Sequence, residues 1–153
     1  MSQFANNPSD SSNLYRQRRK VRFSHCDPAG MVFFPRYLTQ LNDLVEDWFD
    51  EALGIRYVDF ITTRGFGLPT VKLECDFVSP GAFGSDIEWR LSVTRIGASS
   101  IGLQIDGVDG ADGETPRFRL RSVLVATAVH QGTSIALPDD LRAALLRFRG
   151  EAA

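Results

Sequence analysis

The sequence predicts an α+β domain in which one long amphipathic helix packs against a five-stranded antiparallel sheet. Residues 35–53 have the apolar spacing of a helix, whereas five other segments alternate between apolar and polar residues as strands do. Short connections join the last four strands, and short connections favour antiparallel pairing. The wide apolar face of the helix then needs a sheet to cover it, which defines the fold class.

Length, charge and cysteine content narrow the class of protein. The chain of 153 residues has the length of one domain that buries its own core. Its net charge of −2 gives no electrostatic basis for nucleic-acid binding. No apolar stretch approaches the roughly 20 residues that span a bilayer, so no membrane association is expected. Two cysteines and the lack of a secretory signal pattern favour a cytoplasmic protein.

The first elements of the chain are an arm and a strand. Residues 1–17 are rich in Ser and Asn and are expected to form a flexible arm, which leaves residues 18–153 as the single domain. A first strand is expected from about Arg18 to Ser24. In this strand Val21 and Phe23 share one face, because alternate residues of a strand point the same way.

The long helix follows a loop and carries the clearest pattern in the sequence. Pro35 opens the helix, since a proline at the first helical position loses no hydrogen bond, and Gly54 is well placed to cap its end. Roughly 19 residues at about 1.5 Å each make a helix near 28 Å long. Its apolar face consists of Tyr37, Leu38, Leu41, Leu44, Val45, Trp48, Phe49 and Ala52.

Four further strands follow a connection at residues 55–67 that contains one short helical turn. The strands are expected at residues 70–78, 86–96, 99–108 and 117–130. The apolar alternation of the last strand slips between Leu120 and Val123, which predicts a bulge or burial on both faces. Pro138 begins a short terminal helix. Because a five-stranded sheet has open edges that a second copy commonly covers, at least a homodimer is expected.

The segment His25–Pro35 places a carboxylate, a tight turn and a helix N-terminus close together. The first N–H groups of a helix lack internal partners and carry partial positive charge, which suits them to stabilise an oxyanion. Asp27 is the one acid in this loop, and an ionised aspartate attacks a carbonyl directly or activates a water. The same Asp-Pro-Ala-Gly sequence also suits an aspartate that only caps a turn.

His25 and Cys26 suggest two other kinds of chemistry. Adjacent residues on an extended chain point apart, which makes a Cys–His nucleophile pair awkward. A metal site at His25, Cys26 and Asp27 lacks further spaced ligands, so no metal is predicted. His130, near the end of a strand, is interpreted as structural.

The arginines are the candidates for holding phosphate groups. Arg117, Arg119 and Arg121 alternate, so they share one face of a strand. They are suited to phosphate binding or to pairing with acids on a neighbouring strand, and pairing is favoured. Arg95 is another phosphate candidate. The basic run at residues 16–20 is interpreted as a solvated strand edge.

The string from Asp27 to Tyr37 resembles the signature of the 4-hydroxybenzoyl-CoA thioesterase family. Residues 65–71, 77–80 and 96–100 match the same family in order, so the resemblance covers roughly residues 18–130. The family has the hotdog fold, in which an antiparallel sheet wraps a long helix. Its members pair into homodimers and often homotetramers, and the resemblance implies a site at a subunit interface.

The resemblance implies hydrolysis of an acyl-CoA thioester, with Asp27 as nucleophile or general base. It implies that the backbone N–H near Phe34 binds the thioester oxygen. Many relatives carry Tyr or His at this position, and a main-chain donor tolerates that change. No cofactor is implied, since coenzyme A is part of the substrate. The side chains assigned to substrate binding, each also compatible with a structural role, are Phe33, Tyr37, Leu68, Arg95 and Ser99.

Two alternatives to this function remain open at the level of sequence. A hydratase on the same fold usually needs a paired Asp and His, and His25 is the one nearby histidine. A non-catalytic module that binds acyl-CoA or an acyl-carrier protein would keep the fold without the reaction. The sequence also leaves the acyl group open, although the aromatic pocket candidates favour an aryl or medium-chain group.

Overall fold

The long predicted helix is present and forms the centre of the fold. The structure, a computed structural model, describes residues 13–152. Helix α1 spans Pro35–Trp48 and continues through a π-helical turn at Phe49–Leu53. Gly54 ends it in the left-handed conformation with φ of 67°, which a glycine adopts without steric cost. The predicted opening proline and closing glycine are both confirmed.

The sheet against α1 is antiparallel throughout. The strands are β1 (Tyr15–Lys20), β2 (Phe66–Gly67), β3 (Thr70–Phe77), β4 (Asp86–Ile96), β5 (Ser100–Asp109), β6 (Pro116–Val125), β7 (Thr127–Ala128) and β8 (Thr133–Ser134). Five of them form the main sheet in the order β1-β4-β5-β6-β3, and β2, β7 and β8 form a small second sheet. The α+β class and the five-stranded antiparallel sheet are confirmed.

The core lies between α1 and the main sheet. On α1 the residues Leu44, Trp48 and Phe49 have no exposed surface. The inward faces of the central strands alternate as predicted, and their buried residues are Ile87, Trp89, Leu91 and Val93 on β4 and Ile101, Leu103 and Ile105 on β5. Each large aliphatic or aromatic side chain buried in this way contributes about 1.5–3 kcal/mol to stability.

Two shorter helices complete the described fold. Helix α2 spans Tyr57–Thr62 in the connection after α1, and helix α3 spans Asp139–Phe148. Leu141 and Leu145 of α3 are fully buried, which confirms the amphipathic terminal helix. Within residues 13–152, no helix has the length and apolar character needed to cross a membrane.

The position of the first strand was predicted wrongly. Strand β1 runs over Tyr15–Lys20, not over residues 18–24. Tyr15 is buried and pairs with Leu91, so the strand begins inside the segment assigned to the flexible arm. Pairing ends after Lys20, and Phe23 lies exposed in a 3-10 turn instead of facing the core. The arm at residues 1–12 lies outside the described residues.

The last strand also differs from the prediction. It ends at Val125, and after Ala126 the chain enters β7, which pairs with β2 and β8 in the second sheet. The apparent slip between Leu120 and Val123 is not a bulge, since the pairing there is regular on both sides. Ser122 occupies a core position between two leucines, and this buried serine explains the interrupted apolar pattern.

Strand β3 forms one edge of the main sheet and keeps an exposed apolar face. Its register with β6 shifts between Thr70 and Lys72, so Val71 is an extra residue and is 60% exposed. Leu73 and Phe77, which alternate along the strand, are exposed as well. Helix α1 therefore covers the middle of the sheet and leaves much of the apolar surface of this edge exposed.

Candidate active site

The Asp27 loop folds back on itself as a short hairpin. His25 O accepts a hydrogen bond from the Phe33 N–H at 2.9 Å, and the Asp27 N–H donates to Met31 O at 3.0 Å. Between them Cys26 forms an antiparallel bridge with Val32. This ladder places Asp27 beside the segment that enters helix α1.

The connection between β3 and β4 anchors the loop. The Val32 N–H donates to Gly81 O at 2.9 Å, and the Phe83 N–H donates to Gly30 O at 3.0 Å. A side chain at position 81 would run into the Tyr37 hydroxyl and Val32, so the close approach requires a glycine. The loop is therefore held between the start of α1 and the end of β3.

The carboxylate of Asp27 is only partly engaged. Its Oδ1 accepts the Ala29 N–H at 2.8 Å, and its backbone carbonyl accepts the Gly30 N–H at 3.0 Å. Gly30 has φ of 78°, which closes the turn. Among residues 13–152 no cation pairs with Asp27 and no donor reaches Oδ2. The turn thus fixes the orientation of the carboxylate and leaves one oxygen open for chemistry.

The start of helix α1 presents an unpaired backbone donor. Phe34 already has helical dihedrals, with φ of −52° and ψ of −34°, and Pro35 follows as the first residue of α1. The Arg36 and Tyr37 N–H groups donate to Phe33 O and Phe34 O. Within the described chain the Phe34 N–H has no acceptor, and Pro35 has no N–H. This leaves the Phe34 N–H as a backbone donor without a protein acceptor at the helix start.

The aromatic side chains beside this donor form a surface of three rings. Phe33 and Phe34 are exposed, Phe34 to 56%, and their ring centroids lie 5.9 Å apart. The Phe34 ring also contacts Phe77 of β3 at 6.0 Å. The alternation of residues 70–78 predicted a strand that contains Phe77 but did not predict its position at the helix start. The structure places Phe77 beside the site.

Two predicted pocket residues are part of the core. Tyr37 is 5% exposed and packs against Phe118 and Trp89 with ring centroids 4.6 Å and 6.0 Å away. Burial raises the pKa of Tyr37 to about 12. Leu68 is also buried. Tyr37 lies directly beneath the aromatic surface, whereas Leu68 lies near the other end of β3.

Arg95 and Ser99 are not near Asp27 within one chain. They flank the turn between β4 and β5, at the end of the sheet where β3 begins. The Asp27 loop contacts residues 81–83, which follow the end of β3. The eight residues of β3 separate the two ends by about 25 Å. The structure therefore unites Asp27, Phe33 and Phe34 and leaves Arg95 and Ser99 apart.

His25 and Cys26 are held by the backbone of Arg22 and do not pair with each other. The Arg22 N–H donates to His25 Nδ1 at 3.2 Å, and Cys26 Sγ donates to Arg22 O at 3.4 Å. Within residues 13–152 there is no group of three metal-binding side chains. These contacts give the histidine a local structural role at the base of the Asp27 loop.

The pKa of His25 is lowered, first by burial and then by the nearby charges of Arg22, Arg36 and Arg19. Because the folded protein disfavours the charged form, stability is expected to fall as the pH drops below about 6.5, the value in unfolded chains. The loss continues until the pH passes the lowered pKa of the folded state. Unfolding free energies measured between pH 7.5 and 5 should therefore fall less steeply in His25→Asn than in the wild type. Equal slopes would contradict this assignment.

The predicted pairing of the strand arginines is confirmed. Arg117 pairs with Asp109 at 2.5 Å, and Arg121 pairs with Asp76 at 3.1 Å. Arg119 pairs with Asp106 of the neighbouring strand β5 at 2.5 Å. These ion pairs occupy the outer face of the sheet, so the row of arginines is committed to neighbouring carboxylates.

The fold is the hotdog fold found in solved thioesterase structures, among them a 1,4-dihydroxy-2-naphthoyl-CoA thioesterase of Synechocystis. A model of the thioesterase-like superfamily matches residues 21–145, and the chain belongs to this superfamily. The expected hotdog fold is confirmed. The narrower resemblance to the 4-hydroxybenzoyl-CoA family stays a prediction.

Individual relatives agree with this family. A 1,4-dihydroxy-2-naphthoyl-CoA hydrolase of Crocosphaera subtropica is 26% identical over 121 residues, which cover 78% of this chain and 88% of the relative. The dynemicin thioesterase is 27% identical with a TM-score of 0.75, and the match covers 88% of this chain and 96% of that one. A Staphylococcus aureus protein crystallised with CoA shares the fold, with a TM-score of 0.80 at 14% identity over 92% of this chain and 86% of that one.

Proposed function

We propose that the protein hydrolyses an acyl-CoA thioester to the free acid and coenzyme A. The observation that supports this most is the geometry of one loop. It holds a carboxylate by one oxygen and leaves the other open, beside a helix start whose Phe34 N–H has no acceptor in the described chain. The names of the relatives, several of them thioester hydrolases, support the same class of reaction.

The proposed mechanism uses only groups of this chain and water. The thioester oxygen accepts a hydrogen bond from the Phe34 N–H, which stabilises the oxyanion by about 3 kcal/mol. Asp27 either attacks the carbonyl carbon, forming an anhydride that water then hydrolyses, or accepts a proton from the attacking water. In both routes the carbon–sulfur bond breaks, and the thiolate of coenzyme A leaves and takes up a proton. The reaction requires no metal or organic cofactor.

We further propose an aromatic acyl group as the substrate class. Phe33, Phe34 and Phe77 offer ring surfaces beside the proposed oxyanion donor, and aromatic rings pack favourably edge-to-face or offset against one another. The relatives named as 1,4-dihydroxy-2-naphthoyl-CoA hydrolases support an acyl group made of one aromatic ring, or of two fused rings, that carries hydroxyl groups.

We also propose a cytoplasmic location, because a reducing cytoplasm suits the two free cysteines, Cys26 and Cys75.

We propose that two copies pair along β3 to complete the site. The exposed apolar residues of this edge strand favour association with another strand, and so do its outer backbone groups, which no strand within residues 13–152 pairs. Antiparallel pairing about a two-fold axis sets the start of one β3 beside the end of the other. Arg95 and Ser99 of one copy then approach Asp27 of its partner, which accounts for their separation within one chain.

A panel of thioesters tests the proposed reaction. Thiol release is measured from benzoyl-, 4-hydroxybenzoyl-, 1,4-dihydroxy-2-naphthoyl- and aliphatic CoA esters. We expect release to be fastest with the hydroxylated aryl esters. Saturable binding without thiol release from any ester would instead favour the acyl-CoA binding module. The hydratase alternative lacks structural support, because no hydrogen bond joins His25 to Asp27 within the described residues.

A charge placed on the β3 edge tests the pairing. Leu73 lies near the middle of β3, so pairing centred on the strand brings the two copies of this residue close together. Leu73→Lys should halve the mass measured by light scattering, because pairing would bring the two introduced lysine ammonium groups together and remove water from them. The rate of thiol release should fall at least about tenfold, because the site would then be incomplete. Val58→Lys, at an exposed position of helix α2, is the matched control. An unchanged mass in Leu73→Lys would overturn the pairing.

A further inference from the structure

A second exposed apolar surface lies beside the Asp27 loop. Phe23 and Phe83 are 80% and 57% exposed, and Met31 next to them is 37% exposed. The two phenylalanine rings meet edge to face, with centroids 5.8 Å apart and planes at 71°. We name these three residues the aromatic patch. Soluble proteins seldom expose grouped large apolar side chains unless the surface binds something.

The aromatic patch is built on the same backbone network as the proposed active site. The Phe83 N–H donates to Gly30 O at 3.0 Å, and the Gly84 N–H donates to Val21 O at the same distance. Met31 and Ala82 form a bridge between the loop and the β3–β4 connection. A molecule bound to the patch therefore touches the loop that holds Asp27.

Unpaired cations flank the patch. Lys20 and Arg22 precede Phe23, and Arg36 lies on the first turn of α1. All three are exposed, and none forms an ion pair among residues 13–152, although Asp86 lies opposite Lys20 in the strand ladder. The chain as a whole carries a net charge of −2, so this positive surface is local. It favours an acidic partner by charge complementarity.

The shape of the patch favours a protein over the nucleotide of coenzyme A. Phe23 and Phe83 touch edge to face, so there is no slot between parallel rings into which a purine could stack. Three separate apolar side chains suit instead the apolar side chains of a helix. Because coenzyme A and carrier proteins present the same phosphopantetheine thioester, the Asp27 site accepts either one, and only the surrounding surface distinguishes them.

We propose that the aromatic patch docks an acidic carrier protein, which presents its acyl group to Asp27 as a phosphopantetheine thioester. The chemistry of this inference rests on the proposed thioesterase function. The docking itself does not, because the side chains that form the patch and its charges take no part in the proposed reaction, and the docking is measurable as binding.

Two double variants test the docking surface. Phe23→Ala with Phe83→Ala removes the rings, and Lys20→Glu with Arg22→Glu reverses the charge. Val58→Ala and Arg147→Glu are matched controls at exposed positions elsewhere. The substrates are one acyl group attached to an acidic acyl carrier protein, to coenzyme A and to pantetheine. The measurement is kcat/KM for thiol release at low and high salt.

Each double variant should lower kcat/KM for the carrier-protein substrate about tenfold or more and leave the acyl-CoA and acyl-pantetheine values unchanged. Added salt should lower kcat/KM of the wild-type protein more for the carrier-protein substrate than for the acyl-CoA and acyl-pantetheine substrates. Equal losses with acyl-CoA would assign the patch to the nucleotide and overturn the proposal. A smaller oligomer in light scattering would assign it to a subunit interface, and no loss with any substrate would also overturn it.

Binding separates failure of this inference from failure of the proposed function. The carrier protein is titrated calorimetrically into Asp27→Asn protein with and without the Phe23→Ala and Phe83→Ala changes. Binding that depends on the two rings supports docking even if no thioester is hydrolysed. Hydrolysis of acyl-pantetheine without such binding supports the reaction and overturns the docking.

Discussion

Replacing Asp27 with asparagine is expected to lower kcat for thioester hydrolysis about a thousandfold, or roughly 4 kcal/mol in activation free energy. The amide of asparagine neither attacks a thioester nor accepts a proton from water. Its oxygen still accepts the Ala29 N–H that Asp27 Oδ1 accepts at 2.8 Å, so the turn should remain intact. KM should change little, because the loss falls on the transition state and not on substrate binding.

Asp112→Asn is the matched control for this change. Asp112 also caps an exposed turn, with Oδ1 accepting the Glu114 N–H at 2.8 Å, but it lies in the β5–β6 connection. Its substitution should leave thiol release unchanged. If Asp27→Asn hydrolyses the same esters at the wild-type rate, Asp27 serves only as a turn cap and another group carries out the reaction.

Gly107→Ala is expected to lower the free energy of unfolding by about 3 kcal/mol. Gly107 lies on β5 between Trp89 and Phe118 in the strand register. A methyl group at this position would overlap the ring of Phe118. That ring cannot move aside, because it is fully buried and packs at 4.6 Å from both Trp89 and Tyr37. The clash should exceed the small gain from replacing glycine in a strand.

Chemical denaturation in two backgrounds measures this clash. In a Phe118→Leu protein the smaller side chain leaves room, so adding Gly107→Ala should cost less than about 1 kcal/mol. The same cost in both backgrounds would mean that the destabilisation comes from the backbone of β5 and not from Phe118. A changed slope with denaturant would show that the compactness of the unfolded state had changed instead.

The helix and the central strands were predictable because their patterns are local. Helix α1 repeats apolar residues at helical spacing between a proline and a glycine, and the large apolar residues of β4 and β5 alternate over most of each strand. The predictions failed where the partner of a strand decides its extent. Strand β1 includes Tyr15 because Leu91 pairs with it. Ser122 is buried in the core although it is polar, so the apolar pattern did not mark its position as part of the core.

The candidate site was predictable in part for the same reason. Asp27, Gly30 and Pro35 lie within nine positions of each other, and their turn and helix-start properties follow from residue type. Phe77 comes to the site from a strand and lies 43 residues after Phe34 in sequence, and the alternation of that strand did not distinguish an exposed edge from the core. The same limit applied to Phe23, whose exposure depends on where β1 stops pairing.

By itself the sequence determined the α+β class, the long central helix and the loop with its carboxylate. All of these depend on contacts within a few residues, or on a periodicity that one element shows alone. Only the tertiary structure decided which faces remain uncovered, namely the β3 edge, the aromatic patch and the Phe34 N–H. Exposure is a property of the whole packed chain, because a side chain is buried or free according to neighbours that are distant in sequence.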